Sequence, residues 1–324
     1  YKEINGQKIQ NVSSDPPAPF NGQVWYNSTS GALKAKASIS VQAWSTGNTL
    51  NTNRYYLAGA GTQPSALAFG GRGASSPGVV TATESYNGTN WTAVNSMGTA
   101  RAYLGGCGAS NTDALAFGGA SAYPAIGNTE TWNGTNWTEV NDLNTARKRI
   151  SVSGAGTNTA CLAFGGTGTA NATESWNGTN WTAVAALNTG RQQAAGSGTS
   201  TSAICSGGES PAADVAINET WNGSAWTEVA DLNSAKKGLM GAGTGNTSAI
   251  VFGGSPAIAD TESWDGTSWT EVNNMNTGRN QFGPAGTATT ALAFGGGPSV
   301  PSVGNLTEEW SASPSPAVVT ITTS

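Results

Sequence analysis

A ten-residue block returns through this chain at a period near 45 residues, and no other feature constrains its fold as strongly. The block reads Thr-Glu-x-Trp-Asn-Gly-Thr-x-Trp-Thr, with an arginine about ten residues beyond the second aromatic. Copies are centred on Trp132/Trp137, Trp176/Trp181, Trp221/Trp226 and Trp264/Trp269, and a variant on Tyr86/Trp91. A half copy ends at Trp310, and a detached second half stands far upstream at Trp44. Between the blocks comes Ala-Leu-Ala-Phe-Gly-Gly or a relative of it, with glycine pairs at 70–71, 118–119, 165–166, 207–208, 253–254 and 295–296. A fixed period of this length with strand-like content implies a repeat architecture, in which each unit buries its apolar face against the next.

One repeat, 147–188, predicts four short antiparallel strands. Residues near 150–156 suit a first strand, Cys161–Phe164 a second ended by Gly165-Gly166, Thr173–Trp176 a third and Trp181–Val184 a fourth. Asn177-Gly178-Thr179 is the turn signal between the last two, because Asn and Gly tolerate positive φ. Four such strands per repeat make a propeller blade. The paired aromatics are expected to pack between neighbouring blades, with Trp44, Trp91, Trp137, Trp181, Trp226 and Trp269 as structural residues. The glycine pair is expected to let backbone pass beneath a large ring.

Two charge sets keep the same count. Glu84, Glu130, Glu174, Glu219, Glu262 and Glu308 precede the third-strand aromatic by two, and Arg54, Arg101, Arg147, Arg191, Lys236 and Arg279 follow the fourth-strand Trp by ten. One acid and one base per repeat, typified by Glu130 and Arg147, point to structural pairing within or between blades, since a site would break the symmetry. The last repeat lacks a fourth strand. Trp44 stands ten residues before Arg54, the offset of Trp137 to Arg147, so Val41 to Asn48 is expected to supply that strand. The expected fold is therefore all-β: a six-bladed propeller over 41–310 whose last blade is closed from the N-terminal side. A β-hairpin element over 1–40 precedes it, and a Pro/Ser linker with a β-prone tail over 311–324 follows.

Composition narrows function by exclusion. Charged residues are 10% of 324, the net charge is -5, and there is no basic stripe, so nucleic acid is not the expected partner. No apolar run reaches membrane-spanning length. The chain has no histidine, which removes the commonest general base and metal ligand; no catalytic residue, metal or cofactor is expected. Cys107, Cys161 and Cys205 are read as small buried residues rather than a disulfide or ligands.

The glycine pair, the Tyr or Trp, the Trp a few residues on and the Arg near the next blade resemble kelch repeats over roughly 41–310. The resemblance implies a binding platform. The family's copper-dependent oxidase branch needs histidine and is excluded. The stretch Pro19 to Lys34, with Gly22-Gln23-Val24-Trp25-Tyr26-Asn27 turning through Ser28 to Gly31 into Leu33-Lys34, is similar to a hairpin of tailed-bacteriophage structural proteins. That implies a virion protein in which 1–40 docks onto other virion proteins or assembles copies of this chain. The links after the glycine pairs vary in length and content while the other links are nearly constant, so they are the expected contact face. Arg72, Tyr123, Glu209, Asp214 and Asp260 are the candidates there, Tyr123 first among them, for a host-surface glycan, a receptor or another virion protein. The competing reading is a secreted bacterial carbohydrate-binding or adhesion propeller.

Overall fold

The computed structural model describes residues 3–4, 7–73, 78–121, 124–152, 156–168, 170–297 and 304–321. The chain is all-β and β-propeller-like, with no helix among the described residues. It divides into two compact units, Ala43–Ser311 and a smaller one made of Tyr1–Gln42 with Ala312–Ser324.

The larger unit is a series of four-stranded antiparallel sheets, one per repeat. The first holds Ala58–Thr62, Ser65–Phe69, Thr83–Tyr86 and Trp91–Val94, and the second Gly105–Ser110, Asp113–Phe117, Thr129–Trp132 and Trp137–Val140. The third repeats the pattern from Ser151–Val152 to Trp181–Val184, the fourth from Ala195–Gly198 to Trp226–Val229, and the fifth from Met240–Gly245 to Trp269–Val272. In the sixth, Gly283–Gly286 and Thr290–Phe294 are followed by Thr307–Thr320, and the strand hydrogen-bonded next to that is Ala32–Gly47 from the other end of the chain.

Residue choice along each sheet follows its depth. Second strands such as Ala66-Leu67-Ala68-Phe69 are covered on both faces, and apart from Ser206 in the fourth sheet they carry no polar side chain in their last four positions. Fourth strands such as Trp181–Val184 bury the Trp and expose the next two residues. First strands are glycine- and alanine-rich because they lie closest to one another. A Cβ at Gly106 would fall 2.5 Å from the Phe69 ring and 3.0 Å from the Gly59 carbonyl, a crowding only glycine accepts.

Each fourth-strand Trp reaches the preceding sheet. Trp137 Nε1 donates to Thr83 Oγ1, Trp181 to Thr129 and Trp226 to Thr173, all at 3.0 Å. Their rings sit 4.9–5.0 Å from Phe69, Phe117 and Phe164. Trp91 bonds Thr307 of the sixth sheet, and Trp44 bonds Thr261 of the fifth. Trp269 faces a sheet that ends in Ser206 instead of Phe, and there the Asn218 amide, turned so that its oxygen meets the indole, accepts at 2.9 Å. Trp137 alone of this set is partly exposed.

Three local expectations are corrected. The Asn of the Asn-Gly-Thr turn does not adopt positive φ; only the glycine does, +88° at Gly88 and +91° at Gly178. Asn87 instead caps the turn through its side chain, Oδ1 accepting from Thr89 N and Asn90 N, as Asx turns do. The glycine pairs do not chiefly make room for a ring. Both members have positive φ, and the second donates its N–H to the next sheet's basic residue: Gly71 to Arg101 O at 2.9 Å and Gly119 to Arg147 O at 2.8 Å. Nor are the cysteines all unpaired. Cys107 and Cys161, on strands of successive sheets with Cα atoms 6.6 Å apart, form a disulfide, and Cys205 is buried outside it. Spacing along the sequence carried no sign that these two positions face each other.

In the smaller unit, Val24–Asn27 pairs antiparallel with the start of Ala32–Gly47 (Trp25 opposite Lys34) and parallel with Gln10–Val12. Asp15 holds the hairpin from outside the strands, accepting from Trp25 Nε1, Asn27 Nδ2 and Lys34 Nζ at 2.7–3.0 Å. These bonds, Asn27 first, draw its carboxyl down to about 2. The segment 311–316, expected as a linker, continues the strand Thr307–Thr320 instead. Ile321 N donates to Leu33 O. Strand alternation from there turns the positions of Pro314 and Pro316 to the opposite side, which the strand Thr290–Phe294 no longer covers beyond Ser311. Proline is tolerated where no ladder donor is needed.

Candidate functional site

The repeated acids and bases are engaged within their own sheets. Arg147, with no exposed surface, donates to Gly165 O, Ala172 O and Glu174 Oε1, the last at 2.9 Å. Glu174 Oε2 accepts from Asn144 N and Nδ2. The arrangement recurs for Arg54–Glu84, Arg101–Glu130, Arg191–Glu219, Lys236–Glu262 and Arg279–Glu308. Burial pulls the Arg54, Arg101, Arg147 and Arg279 guanidinium groups below their ordinary value, opposed by the facing carboxylate. Each carboxylate is thus engaged by the facing base and by donors of the link beside it.

Two residues beyond each basic residue the pattern changes character. The six positions are Tyr56, Tyr103, Arg149, Gln193, Gly238 and Gln281, and all have φ between +54° and +65°. Five are not glycine, and left-handed backbone at non-glycine residues concentrates at functional sites. Their backbones are joined head to tail: Tyr103 N donates to Tyr56 O, Arg149 N to Tyr103 O, Gln193 N to Arg149 O, Gly238 N to Gln193 O, Gln281 N to Gly238 O, and Tyr56 N to Gln281 O, at 2.7–3.4 Å. Their side chains rim a cavity floored by the first strands of the sheets, among them Gly59, Gly106, Gly196 and Gly241.

The rim is not symmetric in chemistry. Tyr55, Tyr56 and Tyr103 form an aromatic arc, with ring centroids 5.0 and 3.8 Å apart. The Arg149 guanidinium stands 5.4 Å from the centre of the Tyr103 ring. Burial and hydrogen bonding to Tyr103 push the Tyr56 hydroxyl above its ordinary value. On the far side, Glu209 Oε2 accepts from Gln192 Nε2 at 2.8 Å and Gln193 Nε2 at 3.1 Å. Its Oε1 pairs with Lys237 at 2.6 Å, and Lys237 also reaches Asp214 at 3.2 Å. The Lys237 bond is the main reason the Glu209 carboxyl lies below its usual range.

Of the contact residues expected from sequence, Arg72 and Glu209 occupy equivalent positions beside this rim, bridged to Tyr55 and Gln192. Asp214 joins Glu209 through Lys237. Asp260 lies apart, just before the third strand of the fifth sheet, with its carbonyl accepting from Gly253 N. Tyr123 lies outside the described residues. The ring itself was missed, although a signal existed. In a link that is otherwise nearly constant, the second residue after the base is Tyr, Tyr, Arg, Gln, Gly and Gln in turn. No family model matches the chain and no curated protein is detectably similar to it.

Proposed function

We propose that residues 43–311 form a closed six-bladed, kelch-like propeller that recognises a ligand and does no chemistry. The observation that carries the proposal is the circle of six backbone hydrogen bonds through Tyr56, Tyr103, Arg149, Gln193, Gly238 and Gln281. A circle returning to its starting residue after six sheets supports closure. The different side chain at each station supports a site, because a scaffold needs only identical copies. The cross-sheet bonds of Trp91 to Thr307 and of Trp44 to Thr261 support a last blade completed from the N-terminal side. Engagement of every repeated carboxylate by a facing base supports a structural role for them over a catalytic one.

The ligand is a saccharide of a host surface, and the carrier a virion. The hairpin at 24–35 supports the virion assignment through its resemblance to bacteriophage hairpins. So does the exposure of Phe20, Tyr26, Val318 and Ile321, the exposed large hydrophobics of the described residues, all of which fall in the smaller unit. Exposed apolar groups gathered in one unit suit docking. Mass spectrometry of purified particles from the source, with glycan-array binding by the isolated protein, tests the reading. Absence of the chain from particles removes the virion assignment, and absence of any saccharide binding removes the recognition assignment. A secreted carbohydrate-binding propeller is the second reading. The Cys107–Cys161 disulfide favours it, because such bonds persist in oxidising surroundings. One reactive thiol instead of three is expected in the denatured, unreduced protein, and three would remove this support.

A further inference from the structure

We infer that the rim binds a carboxylate-bearing sugar residue, with Arg149 holding the carboxylate and the Tyr56–Tyr103 arc covering the sugar ring; the inference rests on the recognition reading above. Arg149 is an anomaly among the guanidinium groups of the larger unit. The arginines at the repeated basic positions are each paired to a glutamate. Arg149 forms no ion pair among the described residues; its Nε is buried without a hydrogen-bond partner, as are those of Arg54, Arg101, Arg147, Arg191 and Arg279, so the missing carboxylate is what sets it apart. A half-buried guanidinium that lines a cavity and has no carboxylate partner is open to an anion from solution. A planar guanidinium matches a carboxylate with two parallel bonds.

The surroundings select the same ligand. In sequence, the links after the glycine pairs of the first three repeats, 72–82, 120–128 and 167–172, contain no acidic residue, and neither do 54–57, 101–104 and 147–150. Acids in the corresponding links are confined to the fourth and fifth sheets: Glu209 and Asp214, both paired with Lys237, and Asp260. The potential on the tyrosine side is therefore positive, from Arg149 and its neighbour Lys148, with Arg72 nearby and without an ion pair among the described residues. An acidic peptide would share the carboxylate. The half-buried tyrosine faces and the amides of Gln193 and Gln281 favour a sugar, whose ring has apolar C–H faces and hydroxyls.

The test is calorimetric titration with uronate- and sialate-bearing oligosaccharides, each paired with its carboxyl-reduced neutral counterpart. At least one acidic member is expected to bind the wild-type protein tenfold or more tightly than its reduced partner, and to weaken as salt is raised. Arg149→Gln is expected to abolish that preference. Glutamine already stands at this position in the fourth and sixth sheets with the same backbone φ, so the variant is expected to fold, as melting and near-UV dichroism would verify. Equal binding of acid and reduced forms by the wild type overturns the inference without needing any variant, and leaves the recognition reading standing if both bind. Persistence of the preference in Arg149→Gln overturns the role of Arg149. Arg149-dependent binding of a poly-glutamate peptide with no saccharide bound overturns the sugar assignment and the recognition reading's ligand together.

Discussion

Arg147→Met removes a charge from the interior while keeping most of the side-chain stem, and its cost can be worked from the contacts. Arg147 is fully buried and makes one ionic and two carbonyl hydrogen bonds. Its loss leaves Glu174, with 3% side-chain exposure, as a buried carboxylate compensated only by Asn144 and backbone donors. Breaking a buried pair from one side costs about 3–5 kcal/mol. For a unit of this size, roughly 2–4 °C is lost per kcal/mol, which gives a melting shift of about 6–20 °C by calorimetry. Arg147→Lys should cost clearly less, because Lys236 already fills this role opposite Glu262 at 2.6 Å. Arg72→Met, at a half-buried rim position with no ion pair among the described residues, should shift stability by no more than about 0.5 kcal/mol. If Arg147→Met melts with the Arg72 variant, or Lys costs as much as Met, the paired acids and bases are not the internal ties described above.

Trp44→Ala should cost about 3–5 kcal/mol in the urea midpoint, matching Trp181→Ala, because Trp44 packs 4.9 Å from Phe252 and bonds Thr261 as the other fourth-strand tryptophans do; a near-silent Trp44→Ala would refute closure from the N-terminal side. Asp15 has a folded-state value of about 2 against an ordinary 3.8, so its stabilisation is complete above about pH 4 and is lost as pH falls towards 2. The Trp25 indole N–H resonance should follow that loss, and in Asp15→Asn it should be independent of pH across the same window.

Much of the sheet architecture was legible because its causes are local. Strand, turn and glycine pair are specified within one period by propensity and turn chemistry, and six copies of the same pattern reinforce one another. The acid and base of each repeat were also legible as partners, since their counts and offsets coincide. The roles of Asn in the turn and of the second glycine were misread, because both depend on bonds whose partners the spacing does not name. The site was largely illegible. Arg72 and Glu209 fell beside it because variable links cluster on one face, whereas Tyr56, Tyr103 and Arg149 hid in a link that looks constant.

The sequence by itself determined the repeat, the strand order within each repeat, and that one acid and one base per repeat are paired, though not whether within a sheet or between sheets. Those features need only neighbours within about 45 residues. The tertiary structure alone decided that Tyr56, near one end of the larger unit's sequence, donates a backbone hydrogen bond to Gln281, near the other, that Cys107 meets Cys161, and that Arg149, with no ion pair among the described residues, lines the cavity. Such convergences are set by how successive sheets stack, through angles and close approaches that the linear spacing of residues does not encode.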